Sequence, residues 1–425
     1  MNLIEQVKKT KEASLVLGTS TIEVRNKILE NIAKSIEENK DKIIEENKKD
    51  IQQAEKDNLS KPLLKRLELN DKKINEIVEM VNGVINLEDP VNKILEVMDL
   101  DDNLELTKVT VPIGLIVAIF ESRPDAAVQI ASLCIKSGNG VILKPGKESI
   151  NTCKLLVELI KESLEKENLS KDNVQLIETR EEVNEILKLH EYIDLLIPRG
   201  SNKFVKFIQE NSKIPVLGHA DGICHVYVDK NADLDKAIKI CFDAKCQYAA
   251  VCNAMETLLV HKDIAAKFLP LIKEKYDEAE VELKGDEETR KIIDIKEAIE
   301  QDWKTEYNDL ILSIKIVDDA EEAINHINKY GSKHTDAIVT ENKETANVFL
   351  SKVDSSSVLH NCSTRFADGF RYGKGAEVGI STSKIHGRGP LGLEGLVIYK
   401  YILKGDGDIV EDYSSGKKIF KHIKK

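Results

Sequence analysis

Residues 111–120 read Val-Pro-Ile-Gly-Leu-Ile-Val-Ala-Ile-Phe, an unbroken apolar run that decides the fold. A strand with one solvated face alternates polar and apolar residues, whereas a run of this kind is typical of a strand buried on both faces of a parallel sheet. A helical pattern follows over residues 126–136, and a second apolar strand comes next at residues 140–144. Strand and helix continue to alternate as far as residue 210. The pattern predicts an α/β fold with a doubly wound sheet, which binds ligands at the carboxyl ends of its strands.

Two further regions flank this sheet. About the first 95 residues contain many charged residues, with apolar residues at helical spacing among them. This pattern predicts a succession of amphipathic helices. Later in the chain the strand–helix alternation restarts, from a strand at residues 257–261 to a strand at residues 357–360. Two α/β units that meet form a cleft of the kind that holds an active site.

The composition excludes several classes of protein. The chain of 425 residues carries a formal net charge of −12, which argues against a nucleic acid or an anionic membrane surface as partner, since both attract basic faces. No apolar run approaches the length of a membrane span, and the first residues lack the order of a signal peptide. The seven cysteines are scattered, without the spacing of a disulfide framework or a metal site. We therefore expect a soluble, cytoplasmic protein that holds no metal.

One cysteine has a distinctive setting. In Gln247-Tyr-Ala-Ala-Val-Cys252-Asn253-Ala-Met-Glu-Thr257, Cys252 lies among small residues directly before a strand. A substrate can reach a thiol on a tight loop, and a polar surround there lowers its pKa, so Cys252 is a candidate nucleophile. A small buried hydrophobe is the other interpretation, because most free cysteines are of that kind. The local sequence leaves both open.

Three residues at strand ends are candidates for binding a nucleotide. Lys144 and Lys147 follow the strand at residues 140–144, where a compact cation suits a ribose hydroxyl or a phosphate. Ser201 lies between a strand and a helix, where backbone amides accept a pyrophosphate. A charged surface turn and an ordinary helix cap explain the same residues. The first unit contains no Gly-x-Gly-x-x-Gly or Walker loop, so a dinucleotide would be held in another way.

Other polar residues are candidates for binding an anionic substrate, and each has a structural alternative. Arg123, in Glu121-Ser122-Arg123, offers a planar fork for carboxylate or phosphate, or forms an ion pair. His219 lies on a glycine-flanked loop, and Glu306 follows the only tryptophan. The group Asn361-Cys-Ser363-Thr-Arg365 suits the charged ends of an amino acid, although turn capping explains it as well.

Several segments, taken in order, resemble one enzyme family. They are residues 120–125, 137–148, 196–201, 218–225, 252–257, 302–307, 330–340 and 375–395. With these segments the chain resembles the glutamate-5-semialdehyde dehydrogenase, or γ-glutamyl phosphate reductase, family of the aldehyde dehydrogenase superfamily. The triplet Tyr248-Ala-Ala departs from many bacterial members, which have an Arg-Pro-Ser-like triplet before the cysteine loop.

The resemblance implies a reaction. It is the NADPH-dependent reduction of L-glutamyl 5-phosphate to L-glutamate 5-semialdehyde and phosphate, the second step of proline biosynthesis from glutamate. Cys252 is then the nucleophile that forms a thioester, and Asn253 with the Cys252 backbone amide binds the oxyanion. The chain has no room for a kinase, so a separate glutamate 5-kinase is expected to supply the substrate.

The same resemblance implies binding roles. For NADP(H), it places Lys144 at the adenosine ribose, Lys147 at the 2′-phosphate, Ser201 at the pyrophosphate and Glu306 at the nicotinamide ribose. The candidates for the substrate's phosphate and the α-groups of its glutamate are Ser122, Arg123, His219, Asn361, Ser363 and Arg365.

Two competing functions remain. A hydrolytic or CoA-acylating aldehyde dehydrogenase would share the fold, but hydrolytic members carry Glu-Leu-Gly-Gly, with a glutamate that activates water, where this chain has Val216-Leu-Gly-His219. A non-catalytic nucleotide-binding or assembly protein is the other, because a fold alone does not determine function. The presence of Cys252, Lys144 and Glu306 argues against it.

The resemblance also implies an aldehyde dehydrogenase-like architecture in three parts. Residues 1–95, 112–242 and 384–402 are expected to form a Rossmann-type NADP-binding domain, and residues 243–383 a catalytic domain. Residues 96–111 and 403–425 are expected to form a small β flap for oligomerisation. We therefore expect a homodimer or a higher homo-oligomer.

Overall fold

A computed structural model describes residues 2–200, 202–219 and 221–425. The helices are α1 (Leu3–Gly18), α2 (Ile22–Glu38), α3 (Lys40–Lys56), α4 (Lys61–Leu67), α5 (Asp71–Ile85), α6 (Pro124–Lys136), α7 (Ile150–Lys166), α8 (Arg180–Ile186), α9 (Asn202–Asn211), α10 (Leu234–Cys246), α11 (Lys262–Glu278), α12 (Glu287–Arg290), α13 (Ala320–Tyr330), α14 (Lys343–Lys352) and α15 (Val410–Ser414). The strands are β1 (Ile94–Asp101), β2 (Leu104–Pro112), β3 (Leu115–Phe120), β4 (Gly140–Lys144), β5 (Val174–Leu176), β6 (Leu195–Arg199), β7 (Cys224–Val228), β8 (Met255–His261), β9 (Glu282–Gly285), β10 (Lys296–Glu297), β11 (Ile311–Val317), β12 (Thr335–Val339), β13 (Ser357–His360), β14 (Gly379–Ser381), β15 (Gly389–Leu391), β16 (Val397–Lys404) and β17 (Ile423–Lys424).

The first parallel sheet has the strand order β5-β4-β3-β6. Successive residues of β3 alternate between two hydrophobic clusters: Ile116, Ala118 and Phe120 in one, Leu115, Val117 and Ile119 in the other. The first cluster includes residues of α2, α5, α6 and α7, and the second includes residues of α1 and α8. The apolar run therefore predicted correctly that this strand is buried on both faces.

The same run was predicted as one strand, and that prediction was wrong at its first residues. The structure ends β2 at Pro112 and begins β3 at Leu115. Between them Gly114 has a φ of +128°, and a Cβ at this residue would lie 2.2 Å from the Asp194 carboxylate. Only glycine adopts this backbone conformation without strain, so the apolar run turns from one sheet into another.

The second parallel sheet has seven strands in the order β10-β9-β11-β8-β7-β12-β13. Each residue of its central strand β8 is buried. Strand β7 pairs with both β8 and β12, so β7 and α10 belong with this sheet, although the sequence analysis grouped residues up to 242 with the first unit. The division into three domains stays a prediction.

A third, antiparallel sheet has the order β16-β2-β1-β17, and it includes most of the residues predicted for the flap, whose role in oligomerisation stays a prediction. The second segment of the flap was predicted to begin at residue 403, but strand β16 of this sheet begins at Val397. All eight residues of β16 pair with β2. On β16, Tyr399, Tyr401 and Leu403 are exposed. No helix within residues 2–200, 202–219 and 221–425 is long and apolar enough to cross a membrane.

Candidate active site

Cys252 lies on the loop between α10 and β8, at the amino end of β8. Its carbonyl oxygen accepts a hydrogen bond from the Cys224 thiol at 3.2 Å, and this thiol lies at the start of the neighbouring strand β7. The loop also packs against Gly222, where a Cβ would lie 2.3 Å from the Cys252 carbonyl oxygen and 2.6 Å from Glu306 Oε1. The backbone of Cys252 is thus held from two sides.

Two histidines converge on this cysteine. The Cys252 thiol and one nitrogen each of His219 and His334 all lie within 4.8 Å of one another. His219 Nδ1 donates to the Ile380 carbonyl oxygen at 2.8 Å, which leaves Nε2 for the thiol. His334 Nδ1 lies 2.9 Å from Thr335 Oγ1, and its buried Nε2 has no hydrogen-bond partner among the described residues. The pair of rings therefore presents nitrogen atoms to the thiol.

These histidines change the acidity of the thiol. Burial alone would raise the pKa of Cys252, but the charges of His334 and His219 outweigh it and hold this pKa well below its usual range. Burial alone would lower the pKa of His219, but the Cys252 thiolate and the Ile380 carbonyl raise it to about 9. At neutral pH the two therefore form a thiolate–imidazolium pair.

The other six cysteines behave differently. Burial raises the pKa of each of their thiols; they are Cys134, Cys153, Cys224, Cys241, Cys246 and Cys362. A protonated, buried thiol is inert, whereas a thiolate is nucleophilic. The structure thus favours a nucleophile over a small buried hydrophobe for Cys252.

Further charged groups surround the thiol. Arg199 ends β6, and its Nη2 lies 3.9 Å from Glu377 Oε1. Arg365 is buried and its Nε donates to Gln247 Oε1 at 2.9 Å. Burial lowers the pKa of both arginines, and the Cys252 thiolate acts against that effect, so both lie within electrostatic reach of the thiol. Such a site suits an anionic substrate.

Two cavities open beside these groups. The larger, of about 730 Å³, lies between α5, α6 and the segment before Cys252, and is lined by residues that include Lys73, Glu76 and Tyr248. The smaller, of about 150 Å³, is lined in part by Arg199. Arg123 and Gln129 line both cavities, so the two cavities adjoin at these side chains.

Several predicted substrate residues are engaged in holding the backbone. The Ser122 hydroxyl and backbone amide both donate to Glu148 Oε1, at 2.7 and 2.6 Å. Asn361 donates through Nδ2 to the Thr340 carbonyl at 3.0 Å and accepts through Oδ1 from its amide at 3.0 Å. The Ser363 hydroxyl accepts from the amide of Arg365 at 3.2 Å. These bonds give the three residues structural roles, and their substrate roles stay predictions.

Two other predicted residues, Asn253 and Arg123, each have a partner within the protein. Asn253 Nδ2 donates to the Ala367 carbonyl at 2.9 Å, which uses one of its two amide hydrogens and leaves the other for an oxyanion. Arg123 forms an ion pair with Asp125 at 2.7 Å, and that carboxylate is the largest cause of its raised pKa. Both functional roles stay predictions.

The predicted cofactor residues lie at two places. Lys144 and Lys147 follow the carboxyl end of β4, and Lys147 pairs with Asp57 at 2.8 Å. Glu306 accepts from Asn202 Nδ2 at 2.8 Å, beside the thiol. Ser201 lies outside the described residues. This set fits a nicotinamide dinucleotide, which needs cations near its phosphates and a carboxylate near a ribose.

Sequence reasoning missed three residues of the site. His334 was quoted within a matching segment without a role, and the same holds for Arg199. Gln129 lies on α6 between the apolar residues Val128 and Ile130, and this lone amide was the signal. The absence of a metal also stays a prediction: it rested on cysteine spacing, whereas His219, Cys252 and His334 together have the geometry of metal ligands.

The comparisons with known proteins agree with this geometry. The aldehyde dehydrogenase family model matches residues 2–298. The γ-glutamyl phosphate reductases of Acetivibrio thermocellus and Pelotomaculum thermopropionicum are 57% and 55% identical over 424 residues, which cover 100% of this chain and 98% of each relative. Within the aldehyde dehydrogenase family, the chain belongs to the γ-glutamyl phosphate reductases.

Solved structures of this family share the fold. The crystal structure of γ-glutamyl phosphate reductase from Thermotoga maritima matches with a TM-score of 0.94 at 42% identity, covering 96% of this chain and 100% of that one. An acetylating aldehyde dehydrogenase from Geobacillus thermoglucosidasius matches with a TM-score of 0.67 at 17% identity, covering 96% of this chain and 97% of that one, which shows the common fold alone. The predicted aldehyde dehydrogenase-like α/β fold is confirmed.

Proposed function

We propose that this chain reduces L-glutamyl 5-phosphate to L-glutamate 5-semialdehyde and phosphate with NADPH, the second step of proline biosynthesis from glutamate. One observation carries the proposal: Cys252 lies beside two histidines, which lower the pKa of its thiol. The chain that holds this arrangement belongs to the γ-glutamyl phosphate reductases. Acyl-phosphate chemistry needs such a thiolate at neutral pH.

The first step forms a thioester. The Cys252 thiolate attacks the C5 carbonyl carbon, the C–O bond to phosphate breaks, and phosphate leaves with that electron pair. The Cys252 amide and Asn253 Nδ2 bind the oxyanion that forms in between, and each such donor lowers the barrier by about 3 kcal/mol. Arg365 offsets the negative charge of the phosphate.

NADPH, when bound, supplies the hydride that reduces the thioester. Lys144 and Lys147 bind the adenosine ribose and its 2′-phosphate, with Ser201 by the pyrophosphate. Glu306 would hold the nicotinamide ribose near Cys252. NADP(H) is therefore the cofactor that we propose.

The site is also suited to protect the thioester from water. Val216 occupies the position where the hydrolytic family members carry a glutamate base, and its side chain takes no proton. His219, with its pKa raised to about 9, holds its proton at neutral pH and does not activate water. These observations support acyl-phosphate reduction over aldehyde hydrolysis.

The test is the reverse reaction. Wild type, Cys252→Ala and Cys246→Ala are assayed for reduction of NADP with L-glutamate 5-semialdehyde, with and without phosphate. We expect phosphate-dependent activity in wild type and Cys246→Ala, whose half-buried thiol has a raised pKa, and none in Cys252→Ala. Activity without phosphate would support the hydrolytic enzyme, and activity that requires CoA the acylating one. NADPH binding without turnover would support a binding role.

The surroundings of this reaction are part of the proposal. We also propose that the reaction takes place in the cytoplasm and that a separate glutamate 5-kinase supplies the acyl phosphate. The exposed apolar residues of β16 (Tyr399, Tyr401 and Leu403) are a surface that a second copy of the chain can cover, which supports a homo-oligomer.

A further inference from the structure

The smaller cavity, whose Arg199 and Glu377 are within electrostatic reach of the Cys252 thiol, is lined by charges of both signs. Two arginines, Arg123 and Arg199, face two carboxylates, Asp368 and Glu377, and Gln129 completes the polar wall. Its volume of about 150 Å³ equals that of several water molecules, since each takes about 30 Å³ in the liquid. The two positive and the two negative side chains balance one another, so the wall offers no excess of either charge to a ligand group with a net charge. The wall therefore suits a small group that carries both charges.

Two buried polar atoms of this wall have no hydrogen-bond partner in the described part of the chain: Arg199 Nη1 and Gln129 Oε1. Native proteins pair more than about 90% of such atoms, because each unpaired one costs roughly 1–3 kcal/mol. One is a donor and the other an acceptor. They are therefore placed to bind an acceptor and a donor of one ligand.

The neighbouring groups are already engaged. Arg123 is paired with Asp125 at 2.7 Å, and Glu377 accepts from the Gly369 amide at 2.8 Å as well as facing Arg199 Nη2. Arg199 thus has one nitrogen directed at a carboxylate of the protein and one left over for an anion. Gln129 offers a neutral acceptor with no competing donor from the described residues.

We propose that this cavity binds the α-amino acid group of the substrate, with its α-carboxylate on Arg199 Nη1 and its α-ammonium donating to Gln129 Oε1. This proposal rests on the proposed function. The α-amino acid group is the part of the substrate that a simple aldehyde lacks. The α-carbon of glutamate lies three carbon–carbon bonds from the reacting carbon, about 4 Å when extended. Arg199 is within electrostatic reach of the Cys252 thiolate, as this short spacing requires.

This arrangement would make the enzyme selective for substrates that carry both α-groups. An aldehyde that lacks the α-ammonium leaves Gln129 Oε1 buried without a donor, and one that lacks the α-carboxylate leaves Arg199 Nη1 without an acceptor. Sites built to hydrogen-bond a substrate group reject analogues without it, because the buried partner stays unpaired.

The test compares two substrates that differ only in the α-ammonium, L-glutamate 5-semialdehyde and 5-oxopentanoate, both oxidised with phosphate and NADP. For Gln129→Leu we expect kcat/KM to fall roughly 10- to 100-fold with the first and to change less than about twofold with the second. Gln129→Glu keeps an acceptor and should keep the preference. Arg199→Leu should lower kcat/KM for both, because both carry the carboxylate. Gln52→Leu, on the exposed face of α3, is the matched control and should change neither.

The outcomes separate the two proposals. Equal losses with both substrates in Gln129→Leu, or no loss with either, would overturn the head-group assignment while the phosphate-dependent activity of wild type upholds the proposed function. An Arg199→Leu variant that raises KM for phosphate and leaves the KM for the aldehyde unchanged would assign Arg199 to phosphate and overturn the carboxylate half. A wild type without phosphate-dependent activity would overturn the proposed function, and the head-group assignment with it.

Discussion

The rings of His219 and His334 meet edge to face, with 4.7 Å between their centroids. Neither residue neighbours the other in sequence: His219 lies on the connection into β7, and His334 directly precedes β12. Their contact places two imidazoles beside one thiol at the amino ends of the strands of the second sheet. The two rings, rather than the loop of Cys252 itself, are the cause of its acidity.

The first prediction concerns the reactivity of Cys252. Because its pKa is lowered, the thiol is ionised at neutral pH, and iodoacetamide should alkylate it faster at pH 7 than any other cysteine of the chain. Replacing either His219 or His334 by Gln removes one of the two groups that lower the pKa of Cys252 and should slow this alkylation at pH 7. Mass spectrometry of the Cys252 peptide measures the rate, and Cys246, with its raised pKa, is the internal control. Unchanged rates in both variants would contradict the role of the histidines.

The second prediction concerns the pH dependence of catalysis. The folded-state pKa of His219 is raised to about 9, so the imidazolium that faces the thiolate is present at neutral pH and lost as the pH rises through about 9. We therefore expect kcat/KM to fall above that pH in wild type. In His219→Gln this alkaline limb should disappear, because the side chain no longer titrates. A persistent limb would assign the titration to another group.

The third prediction concerns Gly222. A Cβ there would lie 2.3 Å from the carbonyl oxygen and 2.5 Å from the Cα of Cys252, both of them backbone atoms that cannot rotate away. Gly222→Ala should therefore displace the loop and abolish activity. Gly83→Ala, in the interior of α5 with open space around it, should stabilise the protein by about 0.5–1 kcal/mol instead. Activity and thermal unfolding of both variants check the contrast, and an active Gly222→Ala would refute the contact.

The fourth prediction concerns the buried ion pair of Lys245 and Glu256. Both side chains are fully buried with 2.7 Å between Nζ and Oε2, and they tie α10 to β8 on either side of the Cys252 loop. Lys245→Met leaves a buried carboxylate alone and should lower the free energy of unfolding by about 3–5 kcal/mol. Adding Glu256→Leu should restore much of it. Lys236 lies on the same helix as Lys245 and forms an exposed ion pair with Glu341, so Lys236→Met should lower the free energy of unfolding by less than about 1 kcal/mol. Denaturant unfolding measures all variants, and additive effects of the two buried substitutions would argue against the pair.

The fifth prediction concerns the cofactor. Lys144→Ala removes the cation that we place at the adenosine ribose, far from the reacting atoms, so KM for NADPH should rise roughly tenfold while kcat changes little. NADPH titration followed by fluorescence should show the same loss of affinity. Lys154→Ala, on the exposed face of α7, serves as control. Equal affinities in both variants would place the dinucleotide elsewhere.

Hydrophobic periodicity predicted the strands and helices of this fold well, because the buried and exposed positions repeat along the whole length of each element. The strands Gly140–Lys144 and Ser357–His360 begin and end where the pattern places them. The site was harder to predict, since tertiary structure assembles it. The rule that ligands bind at the carboxyl ends of strands leads to Lys144, but His334 lies at an amino end. Asn361 shows that the chemistry of a side chain does not decide its role: its amide bonds to the Thr340 backbone, and its substrate role stays a prediction.

The hydrogen bond from His219 to the Ile380 carbonyl has a mechanical consequence. The chain passes from the first α/β unit to the second through the segment that carries His219, and returns toward the first through the segment that carries Ile380. This hydrogen bond therefore joins the two segments that connect the units, and it does so beside the nucleophile. Because His219 helps to hold the pKa of Cys252 low, a rotation of one unit against the other that broke this bond would raise the pKa of the thiol.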